Sequence, residues 1–184
     1  IYSIPTSSIA YEFTRRFYEI LDINVENIAA GFNAYDLINV KNDKDEVDYE
    51  RISSLLRQKR GFSKITLRDE IKAGEKIVKF GAVIGNPPYQ KGISEEKLNS
   101  SLSKQLFPYY TILSMEITTN ISSLIIPARW FAGDAQDKSF LKLREFFKTK
   151  DTLSDLYYFE DTNSIFNNVG KIHKIKNEKK ALNV

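Results

Sequence analysis

Gly85-Asn86-Pro87-Pro88-Tyr89-Gln90 closes a short apolar run, Ile77 to Ile84, and the rest of the chain is read outward from it. The run is rich in β-branched and small residues and is bounded by a glycine and two prolines, which is the pattern of a buried parallel strand. A strand that stops at Pro-Pro leaves its last residues at the carboxyl edge of a sheet, where open α/β folds bind ligands. Pro88 drives Pro87 into an extended backbone, each proline fixes its own φ, and neither has an N–H. The Pro87 carbonyl is thereby held as an acceptor in a stiff frame. Asn86 adds an amide with one acceptor and two donors, and Tyr89 adds a flat aromatic face. Two acceptors beside an aromatic plate suit a planar group that carries an NH2. The Asn86 amide oxygen and the Pro87 carbonyl each take one amino hydrogen, Tyr89 stacks on the ring, and the nitrogen lone pair is left for attack on an electrophile. A plain strand-ending turn is the competing reading, since Asn-Pro is common in turns. An Asn, two prolines and an aromatic falling directly after a buried strand favour the site.

The bulk numbers narrow the classes. With 184 residues, 42% apolar and 12% aromatic, the composition is globular and allows one domain with a sizeable core. No apolar run approaches the length of a membrane span, and no secretory signal is visible, so no membrane partner and a cytoplasmic setting are expected. There is no cysteine, which excludes disulfides and thiolate metal sites, and the single histidine, His173, excludes a His-rich cluster, so no metal is expected. The net charge of +3 (27 Lys+Arg less 24 Asp+Glu) is compatible with nucleic acid without arguing for it.

Taken in order, Ile1 to Ile4 read as a strand and residues 6 to 21 as an amphipathic helix burying Ile9, Phe13, Phe17 and Ile20, the first half of a βαβ unit. Asn27 to Gly31 is a short strand. Residues 41 to 76 read as an insertion: a charged, solvated loop, then a helix with Ile52, Leu55 and Leu56 that Gly61 ends. The basic group Arg57, Lys59, Arg60 and Lys64 reads as a solvated face rather than a phosphate contact. Lys91 to Lys104 is a polar loop beside the proposed site. Leu106 to Thr118 is a helix whose aromatics lie at core spacing, with Asn120 ending it. Ile121 to Ile126 is the next buried strand, running into Pro127-Ala128-Arg129-Trp130-Phe131. A helix follows from Asp137 to Lys148, then a last strand from Leu153 to Phe159. Residues 170 to 184 form a basic tail that reads as a disordered terminus.

Asn86-Pro87-Pro88-Tyr89 matches the catalytic motif of amino-group methyltransferases that use S-adenosylmethionine. The wider string Phe80-Gly-Ala-Val-Ile-Gly-Asn-Pro-Pro-Tyr-Gln90 resembles adenine-N6 DNA methyltransferases, in particular those of type II (type IIG-like) restriction–modification systems, and Leu124-Ile-Ile-Pro-Ala-Arg-Trp-Phe-Ala-Gly133 supports that subgroup. The resemblance covers most of residues 1 to 169. It implies an α/β, Rossmann-like methyltransferase sheet with flanking helices, S-adenosylmethionine as cofactor, double-stranded DNA as partner, and a flipped adenine as substrate. It assigns Asn86, Pro87, Pro88 and Tyr89 to catalysis, Asp36 to the cofactor adenine, and Gln90, Arg129 and Trp130 to the substrate rim. The acidic residue that usually follows the second strand to hold the ribose is replaced here by Pro5, Thr6 and Ser7, leaving Thr6 and Ser7 as weaker candidates.

The family's glycine-rich turn and first strand are not seen, so the sheet is expected to be incomplete. The chain is then a fragment, a decayed copy, or one part completed by an upstream segment, recognition domain or restriction subunit. Without a central strand, its two neighbours either pair directly or leave open edges. The alternatives kept open are an inactive remnant or DNA-binding part of such a system, and a methyltransferase acting on a protein glutamine or an RNA base.

Overall fold

The computed structural model describes residues 1–71, 78–89 and 105–160. Two compact units divide the chain, Ile1–Thr152 and Leu153–Val184.

Among the described residues of the first unit, three helices precede a strand–helix–strand–helix run. The elements are α1 (Ser8–Ile20), α2 (Ala34–Leu37), α3 (Tyr49–Leu56), β1 (Phe80–Gly85), α4 (Phe107–Ile117), β2 (Thr118–Leu124) and α5 (Ser139–Lys150). β1 and β2 pair in parallel, from Phe80 against Thr118 to Gly85 against Leu124, with a register irregularity between Phe80 and Ala82. A bond from the Ile125 N–H to the Gly85 carbonyl (3.0 Å) carries the pairing one step past β2. The second parallel contact is a single bridge, Ser3 with Ile28, made by bonds from the Ser3 N–H to the Asn27 carbonyl and from the Ala29 N–H to the Ser3 carbonyl, both 3.0 Å. Among the described residues these two pairs do not join into one sheet. They approach at one corner, where the Tyr2 ring meets Phe80 edge-on at 5.3 Å and tilts onto Phe62 at 4.8 Å.

The core falls into two clusters that share α4. One cluster gathers Leu37, Ile52, Leu56, Ile65, Leu106 and Leu113, and a second gathers Phe107, Ile112, Trp130, Phe140 and Leu143. α4 spans both because apolar residues surround it: Leu106, Phe107, Tyr110, Ile112 and Leu113 are all buried, as a central helix requires. Its aromatics are core. The segment read as an insertion supplies core residues too, Ile52, Leu55, Leu56, Phe62 and Ile65.

Several expectations are corrected. α1 forms where the periodicity places it, capped by the Ser7 hydroxyl accepting from the Ala10 N–H, but its apolar stripe is not buried. Ile9 is 82% exposed and Ile20 80%, with Phe13 and Phe17 also open, while Tyr18 is the residue it buries. β1 and β2 are half-open rather than buried on both faces: α4 packs on the pair, yet Ile84 is 79% exposed and Ile121 is exposed. α4 passes into β2 without a break, so Asn120 lies within the strand and does not end the helix. α3 stops at Leu56 with Arg57 as its C-cap. Gly61 serves a different need, because a Cβ there would stand 2.5 Å from the Glu26 carbonyl oxygen. Residues 153–160 form no strand and are exposed, having no strand beside them among the described residues. Lys91 to Lys104 and the tail lie outside the described residues.

Candidate functional site

Both parallel pairs run their carboxyl ends into turns that carry the candidate residues. At the Ser3–Ile28 bridge, the chain leaves through Pro5 and Ser7 on one side and Ala29 to Asn33 on the other. The Ala34 N–H donates to the Pro5 carbonyl at 2.9 Å and ties the two exits together. Between them lies a cavity of about 440 Å³ lined by Pro5, Ser7, Ser8, Tyr11, Ala29, Ala30, Gly31, Phe32, Asn33 and Asp36. Its size is that of a small-molecule pocket. Gly31 is backed so closely by Ile65 that an added Cβ would stand 2.9 Å from that residue's carbonyl oxygen. Asp36 is held by a capping box: the Asn33 N–H donates to its carboxylate at 2.9 Å while the Asn33 side chain accepts from the Tyr35 N–H at 2.8 Å. Of the sequence candidates for the cofactor, Ser7 and Asp36 meet in this cavity, and Thr6, exposed, is not among its lining. Ser8, Tyr11 and Asn33 are new. Asn33 was legible as the partner three residues before Asp36 in a capping box.

At the other pair, Gly85 leads into Asn86-Pro87-Pro88-Tyr89, and β2 leads through Ile126 into the 3-10 turn Ala128–Trp130. Parallel strands put these two exits side by side. Asn86 is exposed and Pro87, Pro88 and Tyr89 are half-buried. Burial pushes the Tyr89 phenol above its ordinary value, and a hydrogen bond with the Asn86 side chain acts the other way. The turn is fixed from behind. The Tyr89 carbonyl accepts from the Leu106 N–H at 2.9 Å, and its ring meets Phe107 edge-on at 6.5 Å. Trp130 is buried against Phe131 and Phe147, so packing claims its ring, whereas Arg129 is exposed, its guanidinium lowered from its ordinary value by partial desolvation. Gln90 lies outside the described residues.

α4 relates the two regions. Its first turn anchors Tyr89, and one turn on, the Tyr110 hydroxyl donates to the Ala34 carbonyl at 2.6 Å, at the start of α2 behind the cavity. Among the described residues, no cluster of His, Asp and Glu suits a metal, and no helix is long and apolar enough to cross a membrane.

The family model for Eco57I restriction-modification methylases matches residues 1–166. This chain belongs to that family. It is also 24% identical over 120 residues to a protein of Mycoplasma pneumoniae described as an uncharacterized adenine-specific methylase, a match covering 62% of this chain and 28% of that protein. The chain thus aligns with under a third of that relative. No solved structure matches. Membership places the chain in a restriction–modification methylase family, and its small parallel sheet with flanking helices agrees with a partial α/β fold.

Proposed function

We propose that this chain carries the substrate-holding half of a DNA adenine-N6 methyltransferase that draws its methyl group from S-adenosylmethionine. The observation that carries the reading is the Asn86–Tyr89 turn, which leaves the carboxyl end of a parallel strand and is braced through its last residue by α4, in a chain of this family.

The residues perform distinct tasks. Asn86 offers its amide oxygen to one amino hydrogen. The Pro87 carbonyl takes the second. Tyr89 offers its ring to a base that must leave the duplex, because an amino group inside the stack cannot meet a second substrate. Rate enhancement then rests on positioning. The cofactor supplies an electrophilic methyl group. The cavity between Pro5 and Asp36 suits its nucleoside end: apolar Phe32, Ala29 and Ala30, hydroxyls at Ser7, Ser8 and Tyr11, and one carboxylate at Asp36. Thr6 stays outside that set, Gln90 and Arg129 keep the rim role that the resemblance assigns, and Trp130 supports the loop by packing instead of lining the rim. Among the described residues β1 is paired only with β2, and its other edge supports completion by a further strand, from an upstream segment or another subunit.

The test follows methyl label from S-adenosylmethionine into DNA by the full-length polypeptide. Asn86→Ala is expected to lower transfer by roughly a hundredfold or more, with circular dichroism unchanged because Asn86 is exposed. Label appearing in protein or RNA redirects the substrate assignment. Full activity in Asn86→Ala removes the turn from the chemistry.

A further inference from the structure

The two walls of the candidate site rest on one face of one helix. Phe140, Leu143, Arg144 and Phe147 are spaced along α5 so that they share a face. The Asn86–Tyr89 turn reaches this face through rings: Tyr89 against Phe107 at 6.5 Å, then Phe107 against Phe140 at 5.5 Å. The Pro127–Gly133 loop reaches it through Trp130, whose ring lies 5.4 Å from Phe147, and through Arg144. The Arg144 Nη1 donates to two main-chain carbonyls of that loop, Trp130 at 2.6 Å and Gly133 at 2.9 Å. One nitrogen carries two hydrogens, so one group closes both bonds.

The loop is tight by itself. The Phe131 N–H donates to the Ala128 carbonyl and the Gly133 N–H to the Arg129 carbonyl, both at 3.1 Å, and a Cβ on Gly133 would stand 2.9 Å from that same Arg129 oxygen. Those bonds set the loop's shape but not its orientation against the strand exits. The bonds from α5 do that.

We infer that Arg144 is a positioning residue: its guanidinium fixes the Pro127–Gly133 loop, and with it Arg129 and Trp130, at a set distance from the Asn86–Tyr89 turn that holds the reacting amino group. The inference rests on the reading given under Proposed function. A hydrophobic residue at 144 would keep the Phe140 and Phe147 packing and lose the two carbonyl bonds, so the loop would swing on its apolar contacts alone. A lysine can still reach these carbonyls as a point charge without the planar fork.

Trp130 is the chain's single tryptophan, so its fluorescence reports on this loop alone. In the 184-residue chain, Arg144→Met is expected to raise acrylamide quenching of Trp130 several-fold with far-ultraviolet dichroism retained, and Arg144→Lys to restore most of the protection. Unchanged quenching in Arg144→Met overturns the inference, and so does equal loss in the lysine variant with the fold retained. In the full-length polypeptide, Arg144→Met should lower kcat/KM for DNA roughly tenfold while S-adenosylmethionine affinity, read by calorimetry, stays put. A parallel fall in cofactor affinity would mark Arg144 as a general fold residue and overturn the positioning role. If the wild-type polypeptide labels no DNA, the functional reading fails while the quenching experiment still decides whether Arg144 holds the loop.

Discussion

Replacing Tyr110 by Phe tests the link between the cavity and the substrate turn. Tyr110 is 8% exposed, and its hydroxyl donates to the Ala34 carbonyl at 2.6 Å across 76 residues of sequence. The phenylalanine ring fills the same space, so the packing term nearly cancels and the hydroxyl is isolated. Ala34 is itself buried, and its carbonyl loses this partner. Leaving a buried acceptor unmade costs about 1–3 kcal/mol, which for a chain of this size lowers Tm by roughly 2–10 °C.

The pH dependence adds a second signature. Burial, followed by the charges of Tyr35 and Asp36, pushes the Tyr110 phenol well above its ordinary value. Unfolded, the phenol ionises near the usual value of about 10. Above that pH the unfolded chain releases a proton that the folded chain keeps, so stability falls as pH rises, by about 1.4 kcal/mol per unit for this one group. The contribution is fully present below the unfolded value. Tyr110→Phe lacks this slope, and Tyr49 and Tyr109, raised in the same direction, are common to both proteins. The stability gap between wild type and variant should therefore be widest near neutrality and narrow by about 1.4 kcal/mol one pH unit above the ordinary phenol value. Urea unfolding at the two pH values measures it. No gap at neutrality, or a gap that stays constant, refutes the reasoning.

Two further outcomes complete the set that includes Asn86→Ala and Arg144→Met. Leu143→Ala, at a fully buried position between Phe107, Trp130 and Phe140, should cost about 2–5 kcal/mol in chemical denaturation. Asp69 is held below its ordinary value first by the Thr66 N–H, then by the Thr66 hydroxyl, with Arg60 adding to both. Its share of stability is present above the unfolded carboxylate value and is lost as pH falls through the lowered folded one, so acid titration of stability should be shallower in Asp69→Asn.

What the sequence made legible was local. Proline and glycine punctuation marked the end of β1, and the three-to-four spacing of Leu106, Tyr110 and Leu113 gave α4 as a core helix, because both signals act within a few residues. The Asn86–Tyr89 turn and the family it implies were readable for the same reason. Burial was not. The stripe Ile9, Phe13, Phe17, Ile20 has the periodicity of a buried face, yet periodicity names the face that wants a partner and not whether one is there. The same holds for Ile84 on β1. Leu153 to Phe159 has strand composition, but a strand is a pairing and composition supplies no neighbour. Ser8 and Tyr11 in the cavity, and Arg144 at the loop, come from distant positions meeting in space, and nothing in their immediate surroundings announces it.

Among the described residues, the unpaired edge of β1, the bare stripe of α1 and the exposed Ile84 and Ile121 determine how the isolated chain behaves in a test tube. Unpaired strand edges are templates that accept any extended segment, including one from another copy, and greasy surface nearby lengthens each encounter. The isolated chain is thus a colloid problem before it is an enzymology problem. Its yield should fall with concentration and rise with mild detergent, and a holdase chaperone should keep it in solution. Turbidity against concentration, a crude measurement, reads that surface directly.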